Sequence, residues 1–133
     1  MSTLGTMVNH FNIVYRVPCF VGPTLPSDEQ MDAMFSMIHE ELMELCDAMD
    51  AKDIVGMADA LTDIIYVTAQ QAAKYGLPVD KLLAEVQRSN LSKLGEDGNP
   101  IFREDGKVLK GPKFSPPDLA TILRNEGGCS SAG

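Results

Sequence analysis

Eight carboxylates crowd residues 39–66, "HEELMELCDAMDAKDIVGMADALTDIIY": Glu40, Glu41, Glu44, Asp47, Asp50, Asp53, Asp59 and Asp63. Oxygen ligands gathered without a paired histidine or cysteine select a hard cation, magnesium or manganese. No Glu-x-x-His pair is present, which argues against a carboxylate-bridged di-iron centre. Clustered carboxylates without a cation repel one another, and their pKa values rise. The competing reading is a solvated acidic face, so spacing must decide.

On a helical wheel at about 100° per residue, Met31, Met34, Phe35, Ile38, Leu42, Leu45, Cys46 and Met49 fall on one side. Glu40, Glu44 and Asp47 lie opposite, and Glu41 sits at the border. Taken alone, this is an ordinary amphipathic helix. The next helix differs. Ile54, Val55, Met57, Ala58, Leu61, Ile64, Ile65, Val67, Ala69, Ala72 and Ala73 cover most of its circumference. Asp59, Asp63, Tyr66, Gln70 and Lys74 share one narrow stripe. A helix apolar on most sides is buried in a bundle, so its carboxylates must face a polar cavity.

Folding the two helices back across "DAKD" aligns the acids. Glu44 lies six residues before Asp50, and Asp59 six after Asp53; Glu41 lies nine before, and Asp63 ten after. At about 1.5 Å per residue the pairs match in height. Glu41, Glu44, Asp59 and Asp63 are therefore expected to converge on two rungs as ligands for magnesium or manganese.

The elements that must hold them are readable. Met7, Val8, Phe11, Val14 and Tyr15 predict a helix over 5–15. "VPCFVGPTLPS" is a loop, and Ser27 caps a long helix to about Met49. Asp53 caps the next, which runs to about Tyr75, where Gly76 and Pro78 end it. A third fits Val79–Ser92. "GEDGNPIFREDGKVLKGP" reads as a small hairpin around two Asp-Gly pairs. "SPPDLATIL" gives a terminal helical turn, and "NEGGCSSAG" a frayed tail. The expected fold is all-α: an antiparallel helical bundle completed by oligomerisation, with a small C-terminal β-hairpin appendage. Residues 1–120 form one domain and 121–133 the tail. The wide apolar arc calls for a homodimer or homotetramer.

Bulk properties narrow the partners. The chain has 133 residues, is 44% hydrophobic and carries a net charge of -8. Such acidity argues against a nucleic-acid duplex. Cys19, Cys46 and Cys129 are odd in number and scattered, which reads as reduced thiols in a cytoplasmic protein (the host cytoplasm if phage-encoded). No signal peptide or membrane-spanning run is visible.

"EELME" at 40–44 and "DALTD" at 59–63 resemble the two halves of the motif of the MazG-like all-α nucleoside triphosphate pyrophosphohydrolases, Glu-Glu-x-x-Glu followed by Glu-x-x-Asp. Residues 88–119, "RSNLSKLGEDGNPIFREDGKVLKGPKFSPPDL", are similar to the C-terminal segment of a small phage and bacterial branch. The second half departs from the pattern, since Ala60 stands three before Asp63 where the family has Glu. The resemblance implies hydrolysis of a nucleoside triphosphate to monophosphate and pyrophosphate with magnesium or manganese, in a dimer or dimer of dimers. It implies Glu41, Glu44 and Asp63 as metal ligands, with Asp59 substituting or acting through water. Glu40 becomes the water-activating base or a supporting group, with a plain surface carboxylate as the alternative. Asn90 and Lys93 resemble the family's phosphate-contacting pair, though both also suit the end of a helix.

Arg103, Lys107, Lys110 and Lys113 form either a phosphate clamp or charged protection of a hairpin edge. Phe11 and Tyr15 offer a base a stacking surface and Asn12 an amide, unless they are simply core. His10 and His39 read as structural, and the eight methionines as core or interface. A purine deoxynucleotide of the dGTP or dATP type is weakly favoured by the phage-branch resemblance. Phosphoribosyl-ATP, dUTP and dCTP remain rival substrates. A non-catalytic helical interaction module remains the rival class of function.

Overall fold

Three of the helices start on a side chain that accepts from their free N–H groups. Thr3 with Thr6 and Ser27 with Gln30 form reciprocal capping boxes, and the Asp53 carboxylate accepts from the Gly56 N–H at 3.1 Å. A computed structural model, describing residues 2–126, contains five helices: α1 (Leu4–Val14), α2 (Asp28–Asp50) and α3 (Ile54–Lys74), which follow these caps, then α4 (Val79–Leu91) and α5 (Leu119–Asn125).

The ends of α1, α2 and α3 share one device. Val17 N donates to Asn12 O, Asp53 N to Ala48 O and Leu77 N to Ala72 O, at 2.9, 2.9 and 3.0 Å. This is the Schellman closure, which needs a left-handed residue just past the helix. At α3 that residue is Gly76 (φ 77). At α1 and α2 it is a cation instead, Arg16 (φ 55) and Lys52 (φ 52).

The α2–α3 hairpin is the centre of the molecule. Small residues, Ala48 on α2 and Ala60 on α3, are buried in its seam and let the helices approach closely. Met34, Ile38, Glu41 and Leu45 are the partly covered residues of α2 around it. Glu41 is thus in the seam, not at its border. The rest of the expected apolar side, including Phe35, Leu42 and Met49, is exposed in the single chain.

α1 runs antiparallel along α3. Val8 packs with Ala69, Ala73 and Val79, and further along Asn12 meets Gln70. The α4 carboxylate Asp80 ties down the other end of α1, accepting from Thr3 Oγ1 (2.6 Å) and Gly5 N (2.9 Å). Beyond Val79, α4 leaves an apolar groove against Ile64, Ile65, Thr68 and Ala72.

The C-terminal expectation needs correction. Among the described residues the hairpin reduces to one antiparallel bridge, Phe102 with Val108. Two-stranded ribbons are marginal without a third strand or an apolar face to cover. Here Ile101, Phe102 and Val108 all stay exposed. The segment is instead strapped to α4: Gly111 N donates to Lys93 O, Ser115 N to Ser92 Oγ, and Asp118 N to Glu85 Oε2. Helical order then continues through Asn125, beyond the expected boundary at residue 120. The expected tail from residue 127, with Cys129, lies outside the described residues. No helix among the described residues is long and apolar enough to cross a membrane.

Glu85 is the key of the strap, because it also receives both Arg88 Nε and Nη2 at 2.8 Å. The Arg88 hydrogen bonds and the Asp118 N–H hold its carboxyl down at about 2. A lowered acid stabilises the fold above its unfolded value near 4.5, and that contribution disappears as pH falls toward 2. Glu85→Ala is expected to speed tryptic cleavage after Lys110 and Lys113 at neutral pH while far-UV dichroism stays unchanged. Cleavage at the wild-type rate would mean the strap holds nothing.

Candidate metal centre

Glu41 and Glu44 from α2 and Asp63 from α3 each bring a carboxylate oxygen within 4.8 Å of the others. The hairpin produces this meeting, since residues three apart on α2 share a face and Asp63 stands level with them across the seam. Glu41 Oε2 is buried and has no hydrogen-bond partner. Burial raises the Glu41 pKa, followed by the charges of Glu44 and Asp63, a hydrogen bond with Glu44, and the charge of Asp59. Every group acting on it is another acid. An orphaned carboxylate oxygen among like charges is costly. A divalent cation removes both costs. The donor set, three carboxylates and no nitrogen or sulfur, fits magnesium or manganese.

Asp59 stands one turn before Asp63 in the same stripe. It is exposed and outside the close trio, although its charge reaches Glu41. Ala60, where the motif expects Glu, is 1% exposed in the seam, so this position contributes closeness of packing and no ligand. Glu40 is exposed, about 100° round the helix from Glu41.

α1 covers the other half of the stripe. The Phe11 ring lies 4.7 Å from Tyr15 and 5.8 Å, edge-on, from Tyr66. Asn12 is 1% exposed, and its Oδ1 accepts from Gln70 Nε2 at 2.7 Å. Gln70 Oε1 accepts in turn from Gln71 Nε2 at 2.9 Å. The Asn12 amide is thereby committed to holding α1 on α3. The sequence assigns no role to Tyr66, Gln70 or Gln71; for Tyr66 and Gln70 their place in the acidic stripe is the signal available.

The expected phosphate contacts lie elsewhere in the single chain. Asn90 is exposed and Lys93 half-buried at the end of α4. The α4 groove is lined by Ile65 and Ala72, about 160° and 180° round α3 from Asp63. Arg103 is paired with Asp105, and Lys110 stacks over Phe114 at 4.8 Å. Lys107 and Lys113 are exposed.

The phosphoribosyl-ATP pyrophosphohydrolase family model matches residues 21–90, which is just over half of the chain and spans α2 and α3 whole. One similar solved structure is that of a candidate NTP pyrophosphohydrolase from Exiguobacterium sp. 255-15, 26% identical, covering 94% of each chain with a TM-score of 0.47. No curated protein matches. The chain belongs to the phosphoribosyl-ATP pyrophosphohydrolase family, of the MazG-like all-α type, and is a pyrophosphohydrolase.

The raised Glu41 pKa has a sign. An acid whose folded value exceeds its unfolded 4.5 costs stability as pH rises from about that value through the folded one. The metal-free protein is expected to lose thermal stability over that range. Glu41→Gln should remove the loss, raise Tm at pH 7 and abolish the further stabilisation by millimolar magnesium. An unchanged magnesium shift in Glu41→Gln places the cation elsewhere.

Proposed function

We propose that the chain hydrolyses a nucleoside triphosphate between the α and β phosphates, with a magnesium or manganese ion held by Glu41, Glu44 and Asp63. The observation that carries this reading is the orphaned Glu41 oxygen inside a trio of carboxylates within 4.8 Å. When bound, the cation supplies charge neutralisation for the polyphosphate and acidity toward water. The chain's own groups supply the rest. Water attacks the α-phosphorus, the α–β bridging bond breaks, and pyrophosphate leaves with the monophosphate as second product. Glu40 and Asp59 are the two exposed carboxylates beside the trio. We take Glu40 as the first choice to accept the proton lost by the water, and Asp59, whose charge reaches Glu41, as acting through an intervening water.

The base is proposed to lie against Phe11, Tyr15 and Tyr66, whose rings border the stripe. A purine deoxynucleotide suits a stacking surface of that size, with Asn12 behind it as a positioning amide. The active form is proposed to be a homodimer or homotetramer. Met31, Phe35, Ile38, Leu42, Leu45 and Met49 alternate spacings of four and three, the seam of a helix pair. Ile38 and Leu45 are partly covered by α3, but Phe35 is 68% exposed and Leu42 and Met49 are exposed with it, so that side of the seam has no partner among the described residues. Because α4 docks on the far side of α3 from Asp63, Asn90, Lys93, Arg103, Lys107 and Lys110 are proposed to serve the polyphosphate of a neighbouring copy. The family description favours one second reading, phosphoribosyl-ATP as substrate, which shares the same scissile bond.

A panel of ribo- and deoxyribonucleoside triphosphates with phosphoribosyl-ATP tests this. Pyrophosphate and the monophosphate are the expected initial products; orthophosphate as the first product removes the reading. Glu44→Gln and Asp63→Asn are expected to lower kcat at least a hundredfold with helix content intact, and Asp59→Asn by about tenfold.

A further inference from the structure

We infer that Arg16 is a binding residue for the polyphosphate tail, supplied by the same chain as the carboxylates. This rests on the function proposed above.

The stripe on α3 has two halves. Tyr66 and Gln70 form the half covered by α1, through the Phe11 ring and the Asn12 amide. Asp63 and Asp59 form the half that α1 leaves open, one and two turns further toward the start of α3. α1 is antiparallel to α3, with Val8 at Ala73 and Phe11 at Tyr66, so its closing end points at the acids. Arg16 is four residues past Asn12 and therefore stands near the level of Tyr66, where cover gives way to carboxylates. An arginine side chain spans the remaining turn.

Two further observations favour a ligand role. Arg16 occupies the left-handed position of the α1 closure, with φ 55. Glycine fits there without strain, whereas a long side chain there is disfavoured. Strain of this kind collects at sites of function. Next, the guanidinium is exposed and makes no ion pair or hydrogen bond among the described residues, whereas Lys81, Arg88 and Arg103 are each paired with an acid. A planar, free guanidinium at the level of Tyr66, one turn along α3 from Asp63, suits a phosphate tail that reaches from the carboxylates toward α1. The alternative role is plain: a cation at a helix C-terminus complements its dipole.

The two roles separate in Arg16→Gly and Arg16→Asn, both compatible with a left-handed backbone. Wild type and variants are compared for KM and kcat, Tm, and the binding of inorganic tripolyphosphate with magnesium. We expect both variants to raise KM about tenfold, 1.4 kcal/mol of affinity, with kcat within about twofold. Tripolyphosphate binding should weaken in parallel and monophosphate inhibition stay unchanged. Arg16→Gly should raise Tm by roughly 3–5 °C. Arg16→Lys should recover most of the KM. Wild-type KM and tripolyphosphate affinity in both variants would overturn the inference and leave Arg16 a helix cap. A fall in Tm with kcat and KM damaged together would also overturn it. If the wild type releases no pyrophosphate from any nucleotide, the proposed function fails, and tripolyphosphate binding alone still decides on Arg16.

Discussion

The arrangement turns on one awkward side chain, Glu41, set into the packing seam of two long helices. Its Oε2 is sealed from water and unpartnered, and each charge acting on it is negative. No sum of apolar contacts explains such a placement, since a leucine there would stabilise the apo fold. The cost is carried by the rest of the hairpin. Ala48 and Ala60 set the helices close, Asp53 starts α3, and the Schellman closure at Lys52 fixes the register that brings Asp63 level with Glu41. A slip of one residue in that turn would rotate Asp63 by about 100° and scatter the trio.

Local signals carried most of the helices. Ser27 and Asp53, followed by periodic apolar residues, placed the starts of α2 and α3 within a residue, and Gly76 placed the end of α3. The counting argument across "DAKD" brought Glu41, Glu44 and Asp63 together, because helix rise is nearly constant. What it could not give was rotation. The apolar side drawn from α2 alone was centred near Phe35 and Leu42, yet the seam with α3 runs through Met34, Glu41, Leu45 and Ala48. A wheel weighs each apolar residue equally and cannot tell which of two apolar faces meets the neighbour within the chain. Asp59 failed to join the trio for a similar reason, since one stripe still spans tens of degrees. The C-terminal hairpin was over-read because Asp-Gly pairs specify a turn and say nothing about what the flanking strands would pack against.

The buried amides show how α1 is recruited. A helix of 11 residues is marginal alone, and its packed core amounts to Val8 and little else. Asn12, Gln70 and Gln71 add a chain of hydrogen bonds at 2.7 and 2.9 Å in a setting without water. Satisfied buried amides tolerate few alternative registers, because a one-residue shift would leave several groups unpaired. The amide chain therefore fixes where α1 stops, and with it the height at which the Phe11, Tyr15 and Tyr66 rings stand over the acidic stripe.

That placement resolves the apparent conflict between a protein of net charge -8 and an anionic substrate. A polyphosphate would be repelled by Glu41, Glu44 and Asp63 unless cations arrive with it, so affinity must be conditional on the metal. The conditionality has a use. Under the proposed function, the trio without a divalent ion would repel phosphate, and with one the same carboxylates and the anionic tail would share a counter-ion. A preference for a triphosphate over the free monophosphate would then follow from charge, because each added phosphate brings more negative oxygen to the shared cation. What charge cannot choose is the base, and under the proposed function that choice would fall to the aromatic surface that α1 and Tyr66 make together.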